Sequence, residues 1–441
     1  MEEKKNTRIK ENSYKNIKSN YILKKIFDYL TENNILKIVK YNKNIQKKLG
    51  KDINDYIKYC QIIIELTPIK ANDKNIFIKY EEKEKQYYHI YFNDEKEEKH
   101  RNYYNKDENV TKIKIIINAQ IKSFKGLFYH CCFIEKINFI QFNRENINDM
   151  NNMFYYCTSL KELNLNNFNT NNVTDMNWMF VGCESLKELN LNNFNTNNVT
   201  NMRGMFSNCF KLEKLNINNF NTSNVTNMNC MFCSCRLLKE LNLNNFDTSK
   251  VTDMNGMFCG CRLLKELNLN NFDTSNVTDM NGMFSYCYSL KELNLNNFNT
   301  NNVTDMSGMF DQCSSLTQLN INSFNINKVR DMSKMFYDCS SLKELNLSNF
   351  NINEVRYMNA MFLGCSSLEK LNLDNFKTNY ATEMANMFSG CKSLRELNIS
   401  KFKIYHDTDV RLMFNNCSEQ LKNKIRNLNL NLKEEAFRNF Y

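Results

Sequence analysis

Eight apolar positions return along this chain in a fixed 26-residue frame, with Asn, Thr, Lys and Glu filling the gaps. In residues 157–182 they are Leu160, Leu163, Leu165, Phe168, Val173, Met176, Met179 and Phe180. Leu163-Asn164-Leu165 alternates in and out, which is strand periodicity. Met176, Met179 and Phe180 stand at i, i+3 and i+4 and predict one face of a helical turn, with Thr174 or Asp175 placed to cap it. The residue before the cysteine that closes each unit is often Gly, Asn or Asp (Gly182, Asn208, Gly260, Asp338, Gly364, Gly390), types that tolerate the left-handed end of a helix. Each unit therefore reads as a short strand, a bend, a helical turn and a second bend.

The frame is strict. Phe recurs at the Phe168 position from Phe142 to Phe402, and the Met179-Phe180 pair recurs from Met153-Phe154 to Met413-Phe414. A single unit cannot bury its own apolar side, but stacked units align these positions into continuous spines. The expected fold is an α/β solenoid of 26-residue coils, with a parallel sheet on one face and short helical turns on another. At about 4.8 Å per strand the stack would be roughly 50 Å long.

Outside the frame the pattern changes. Residues 1–60 read as a basic helical head: Ile22, Leu23, Ile26, Phe27 and Leu30 form one stripe, and Ile35, Ile38, Val39, Ile45 and Leu49 a second that stops at Gly50. Asp52 is placed to cap a third segment. Residues 61–109, with QIIIELTPI, IFIKY and YYHIYF between charged turns, read as a β-rich connector. The solenoid spans 110–417, beginning with a degenerate coil in 110–130 that should cap the sheet, and residues 418–441 read as a C-terminal cap.

Composition adds four constraints. The chain has 441 residues, net charge +10, one Pro and ten Gly, so no Pro/Gly-rich linker divides it. Residues 1–60 hold 15 Lys/Arg against 7 Asp/Glu, which places the basic excess in the head. A basic head suits a solvated surface, nucleic acid or an acidic membrane, but no aromatic-plus-basic motif points to nucleic acid. No run of 18 apolar residues and no signal-peptide pattern occurs, so the expectation is a cytoplasmic protein with reduced thiols.

A cysteine recurs every 26 residues from Cys131 to Cys417 and reads as a small corner-filling hydrophobe. Cys60, Cys132, Cys230, Cys233 and Cys259 fall outside this register. With Cys235 and Cys261, two of them make C-x-C pairs, which are not the knuckle spacing of a zinc site, and no metal or cofactor is expected. A reactive or bridged Cys233–Cys259 pair is the chemical alternative. The four histidines make no catalytic spacing, and no phosphate loop, H-E-x-x-H or G-x-S-x-G occurs, so no catalytic residue is assigned.

The candidate contact surface is the outward side of the sheet: Glu162, Asn164, Asn166, Glu188, Asn190, Asn216, Glu240, Asn242, Glu266, Asn268, Glu292 and Asn294. It reads either as a solvated face with Asn amides laddered between strands or as an extended protein-binding surface. Trp178, the one tryptophan, stands where other coils have Gly204, Gly256 or Gly282, as an exposed anchor or an end shield.

The string LNNFNTNNVTDMNWMFVGCESLKELNL resembles the BspA-like leucine-rich repeats over roughly residues 110–417. The resemblance implies a right-handed leucine-rich solenoid, and bacterial members are often surface proteins that bind host or matrix proteins. Phe168 sits where the commoner repeat has its Asn ladder, so a Phe spine is expected to replace that ladder. The N-V-T triplets, such as Asn172-Val173-Thr174, fit glycosylation sequons but read as by-products of the repeat. YILKKIFDYLTENNILKIVKYNKNIQKKL is similar to an F-box, without its usual Leu-Pro start. That similarity implies docking of a Skp1-like adaptor through Ile22, Leu23, Ile26, Phe27 and Leu30. The combined expectation is a non-enzymatic protein-binding scaffold. Its sharper form is a substrate adaptor of a ubiquitin ligase, and the alternative is a cell-surface adhesin.

Overall fold

In the computed structural model the described residues are 22, 25, 35, 38, 42–50, 52–70, 74–144, 146–428 and 430–439. Two short helices lead in, α1 (Lys43–Leu49) and α2 (Ile53–Tyr59). Asn42 caps α1 through its side chain, and Gly50 ends it at φ 64°. Asp52 caps α2 in a reciprocal box with Asp55. The far end of α2 is tied down by Gln141 Nε2, which donates to the carbonyls of Lys58 (2.9 Å), Tyr59 (3.1 Å) and Gln61 (2.9 Å).

An antiparallel sheet follows. Its strands β1 (Ile62–Pro68), β3 (Tyr88–Phe92), β5 (Ile113–Ile117) and β6 (Ile134–Phe142) lie in the order β3-β5-β1-β6, and β2 (Asn75–Ile76) pairs separately with β4 (Tyr103–Tyr104). Inward alternation of Ile62, Ile64 and Leu66 on β1 with Ile113, Ile115 and Ile117 on β5 makes the core of this unit. β5 belongs to this antiparallel sheet, so the connector's architecture runs to Ile117. The edge of the solenoid is covered by β1, which pairs antiparallel with β6, while β6 pairs parallel with the first short coil strand, β7 (Glu162–Asn164). One sheet thus passes from connector to solenoid without a break. Arg144 stitches the same junction: it is 3% exposed and donates to the carbonyls of Asn118 (3.0 Å) and Ala119 (3.1 Å).

The solenoid fold is present with its 26-residue period, and its apolar spines are buried, except that the Leu163 column is only partly buried in several coils. The rings stack face to face from Phe128 through Phe154 (5.6 Å) and Phe180 (5.4 Å) to Phe414, and the last partner is Phe437 of the C-terminal tail at 5.4 Å. Such pairs add about 0.5–1.5 kcal/mol beyond burial.

The Met-Phe segment differs from the expected helical turn. It is a run of consecutive β-turns, each laddered to the next coil. In one coil Met176, Trp178, Phe180 and Gly182 donate their N–H groups to the carbonyls of Asn201 (3.2 Å), Arg203 (2.8 Å), Met205 (2.9 Å) and Ser207 (2.9 Å). The intervening Met179, Val181 and Cys183 donate within the coil to Met176, Trp178 and Phe180. Two residues per coil, such as Trp178 and Gly182, take positive φ to make this possible. An i, i+3, i+4 pattern cannot separate a helical turn from stacked turns. Here the stacked form wins because every N–H from 176 to 183 finds an oxygen acceptor, which an isolated helical turn leaves undone. Asp175 does not cap a helix: its Oδ1 accepts the N–H of Asn177 at 2.8 Å, and its backbone bridges Asp149 and Asn201.

Two further columns hold the coils together. Asn193 Nδ2 donates to the carbonyls of Leu165 (2.8 Å) and Phe168 (3.1 Å) of the preceding coil, and Asn271 and Asn297 repeat the contact. The Asn ladder therefore exists, one position before the Phe spine, beside it rather than replaced by it. The buried threonines form the other column: Thr170 Oγ1 donates to Asn195 O (2.9 Å) and accepts from Asn195 N (2.8 Å). At the C-terminus helix α3 (Glu419–Arg426) and the tail close the stack, with Leu412 N and Phe414 N donating to Glu435 O (2.9 Å) and Ala436 O (2.8 Å).

Candidate functional site

On the sheet face two charged rails run side by side, Lys at the Lys161 position and Glu at the Glu162 position. Glu135-Lys136, Glu213-Lys214 and Glu369-Lys370 reverse the order. These reversals bear on where the sheet forms. Strand pairing joins Lys136 to Glu162, Glu188 to Lys214, Glu292 to Gln318 and Lys370 to Glu396, and an isolated bridge joins Glu344 to Lys370. Each is an opposite-charge or neutral neighbour. The like-charge junctions Glu162/Glu188, Glu240/Glu266 and Glu266/Glu292 carry no strand pairing. Like charges directly opposite oppose pairing, and opposite charges favour it. Lys214/Glu240 and Gln318/Glu344 are also open, so favourable charge alone does not close a junction.

Two open troughs lie on this face. One open trough of about 1100 Å³ is lined by Glu266, Asn268, Glu292, Asn294 and their neighbours out to Asn372. A second, of about 720 Å³, is lined by Glu188, Asn190, Asn216, Glu240 and Asn242 with Leu163 and Leu189. Glu162, Asn164 and Asn166 are exposed but line neither trough. Glu162 pairs with Lys136 at 2.7 Å, and Asn164 Nδ2 donates to Asn138 Oδ1 at 2.9 Å.

The Asn column on this face has a local duty that strand periodicity does not reveal. Asn164 Oδ1 accepts the N–H of Asn166 (3.0 Å), Asn190 that of Asn192 (3.1 Å), and Asn268 that of Asn270 (3.1 Å), so these side-chain carbonyls turn the chain out of the strand. The straight amide ladder is seen at Asn164–Asn138. At Asn242 and Asn268 the Nδ2 groups instead reach Asn218 (3.0 Å) and Asn244 (3.3 Å), two residues further along the preceding coil.

On the turn face the register cysteines do more than fill a corner. From Cys157 to Cys417 each register thiol donates to the Phe carbonyl one coil back, as Cys183 Sγ does to Phe154 O at 3.3 Å and Cys287 to Phe258 at 3.2 Å. Burial pushes these thiols up, Cys287 to about 12, so they stay protonated. The residues at the outer turn positions vary. Near the N-terminal end Tyr129 stacks on Tyr155 (4.9 Å) and His130 on Tyr156 (5.2 Å), and Arg203 lies over Trp178 at 5.3 Å. Trp178 rests where a Cβ on Gly204 would come within 2.5 Å of its ring, so that glycine makes room for it. In the middle, Gly256, Gly282 and Gly308 leave a groove of about 460 Å³, with Cys230, Cys233 and Cys259 at one end and Asp311 and Lys334 at the other.

Residues 122–241, 235–345 and 317–428 match the family model described as Mycoplasma protein of unknown function, DUF285. The chain belongs to the DUF285 family. No curated protein matches this DUF285 chain. Among solved structures, a leucine-rich cell-surface protein from Faecalibacterium prausnitzii is 16% identical over 64% of this chain and 76% of its own, with a TM-score of 0.30. TLR13, in the TLR13–ssRNA13 complex, is 16% identical over 61% of this chain and 42% of its own, with a TM-score of 0.26.

Leu23, Ile26, Phe27 and Leu30 of the adaptor-docking set lie outside the described residues, and Ile22 is helical and 52% exposed. Among the described residues no helix is long and apolar enough to cross a membrane, and no group of three or more His, Cys, Asp or Glu is placed to hold a metal ion.

Proposed function

We propose that this chain is a non-enzymatic scaffold that binds another protein along its sheet face. The observation that supports it most is the pair of troughs, about 1100 Å³ and 720 Å³, walled by exposed Glu and Asn rails and each running over both paired and unpaired coils. Solenoids of this kind present extended concave surfaces, and the partner best matched to two parallel rails is a protein segment bearing both signs of charge.

A photo-crosslinking residue at Asn268 or Asn294, compared with one on the turn face at Asn281, tests the reading in cells. Adducts of one partner should form from the sheet face and be lost when Glu266 and Glu292 are changed to Lys. Equal adducts from both faces would overturn it.

The sheet-face reading serves a cell-surface adhesin as well as an internal scaffold, since both would bind through the described solenoid. The ubiquitin-ligase adaptor needs the F-box-like head as well, and only Ile22 of its docking set is described. Protease shaving of intact cells separates the two, since release of repeat peptides belongs to the adhesin alone. Capture of a Skp1-like subunit that depends on residues 1–60 belongs to the adaptor alone.

A further inference from the structure

Three thiols stand together where the turn face opens into its groove. Cys230-Met231-Phe232-Cys233 is a C-x-x-C segment bent into a β-turn, with Cys233 N donating to Cys230 O at 3.0 Å. The ends of such a turn lie under about 7 Å apart, within reach of a disulfide's usual ~4.4–6.8 Å between Cα atoms. Cys259 occupies the place of Cys233 one coil on. The two coils are pinned by Ser234 N to Cys259 O at 2.6 Å and by the Phe232 and Phe258 rings stacked at 5.8 Å. All three thiols are part-exposed, whereas the register thiols around them, Cys209, Cys235, Cys261 and Cys287, are buried.

We propose that Cys233 and Cys230 form a thiol–disulfide exchange site for small polar disulfides that enter the groove beside them, with Cys233 as the attacking sulfur. Cys233 thiolate attacks one sulfur of RS–SR; that bond breaks, a mixed disulfide Cys233–S–SR forms, and RS⁻ leaves as RSH with the proton of the Cys230 thiol. Cys230 thiolate then attacks Cys233 Sγ, closes the Cys230–Cys233 disulfide and expels the second RS⁻, which takes a proton from water. The protein loses two electrons as a dithiol and the small disulfide gains them as two thiols.

The environment matches these roles. Thiol donors from Cys230 and then Cys259 hold Cys233 well below the ordinary thiol range, against the opposing effect of burial, so it is the member present as thiolate. Cys230 and Cys259 are shifted up by the same contacts. The groove offers both signs of charge to a zwitterionic ligand. Lys334 lies at its far end, and Asp311 Oδ1 is buried there with no hydrogen-bond partner among the described residues. That acceptor suits the ammonium of an amino-acid-derived disulfide.

Neighbouring coils supply substitutions that the fold already accepts: Ser207 and Ser285 stand at the Cys233 position, and Gly204 and Gly256 at the Cys230 position. The reduced full chain is mixed with oxidised glutathione, and its thiols are mapped by mass spectrometry. Fast loss of two thiols, with a disulfide assigned to Cys230–Cys233, is the expected result. Cys233→Ser should slow glutathione uptake at this segment at least tenfold, and Cys230→Gly should trap the mixed disulfide on Cys233. The reaction of Cys233 should persist at pH 6, where an ordinary thiol slows. Uptake at Cys233 no faster than at Cys132, or undiminished uptake in Cys233→Ser, would overturn the assignment.

Discussion

Phe437 completes the aromatic stack by lying on Phe414 at 5.4 Å, in the place that a further coil would fill. The backbone does the same, since Ala436 O receives the N–H of Phe414 at 2.8 Å. Arg426 of α3 covers the outer side of the ring at 4.3 Å. Phe437 is 5% exposed, so Phe437→Ala should cost about 3 kcal/mol, taken mainly from the last coils. Thermal unfolding should then show an early fraying phase, with hydrogen exchange rising first around Phe388 and Phe414.

Thr274 is fully buried and makes two bonds to one neighbour, donating to Asn299 O at 2.9 Å and accepting from Asn299 N at 2.8 Å. Thr274→Val keeps the volume and strands both backbone groups. The expected loss is about 2 kcal/mol, read from urea unfolding. Ile326 and Ile352 occupy the same position further along, so the variant should fold.

Thiol labelling should divide the seventeen cysteines by position. In native protein Cys132, Cys230, Cys233 and Cys259 are the part-exposed ones, and alkylation should stop at these. The register cysteines should react only after denaturation. Early labelling of Cys209 or Cys313 would contradict the buried Sγ-to-carbonyl contacts.

Asp311 carries a pH signature. Burial raises its carboxyl to about 6, with Lys334 pulling it down and Asp338 pushing it up. Between the ordinary 3.8 and about 6 the folded chain binds more protons than the unfolded one, so stability falls as pH rises through that window. Asp311→Asn should therefore raise the melting temperature at pH 7 and leave it nearly unchanged at pH 4.

Glu266 is flanked by Glu240 and Glu292 on the sheet face. Glu266→Lys turns two repulsive junctions into attractive ones and should raise the melting temperature at low salt. The gain should vanish near about 1 M salt, where screening acts over roughly 3 Å. A gain that persists there would mean that charge is not what keeps these junctions open.

The solenoid, its period and its buried columns are legible in the chain because Phe168, Met179, Phe180 and Cys183 recur at fixed spacing, and a 26-residue frame has few other ways to bury them. The turn ladder is not legible, because Met176, Met179 and Phe180 fit one face of either a helix or stacked turns, and the choice lies in hydrogen bonds to the next coil. The Asn ladder stands one residue away from its expected place: Asn193 resembles any other polar position beside the conspicuous Phe194. The thiol site is half legible. Cys230, Cys233 and Cys259 stand out as off-register, and an i, i+3 spacing brings Cys230 and Cys233 together in a helix as in a turn, but their part-exposure beside a groove depends on the small residues of the following coils.

The broken pairing on one side and the unbroken ladder on the other make the solenoid mechanically one-sided. Backbone bonds run coil to coil along the turn face from Phe124 to Phe414, whereas the sheet face lacks strand pairing from Asn216 to Glu292. The turn face is thus an inextensible backing and the sheet face a compliant one, as in a leaf spring. A partner seated between Glu240 and Glu292 would meet a surface whose curvature can adjust to it with little loss of internal bonding.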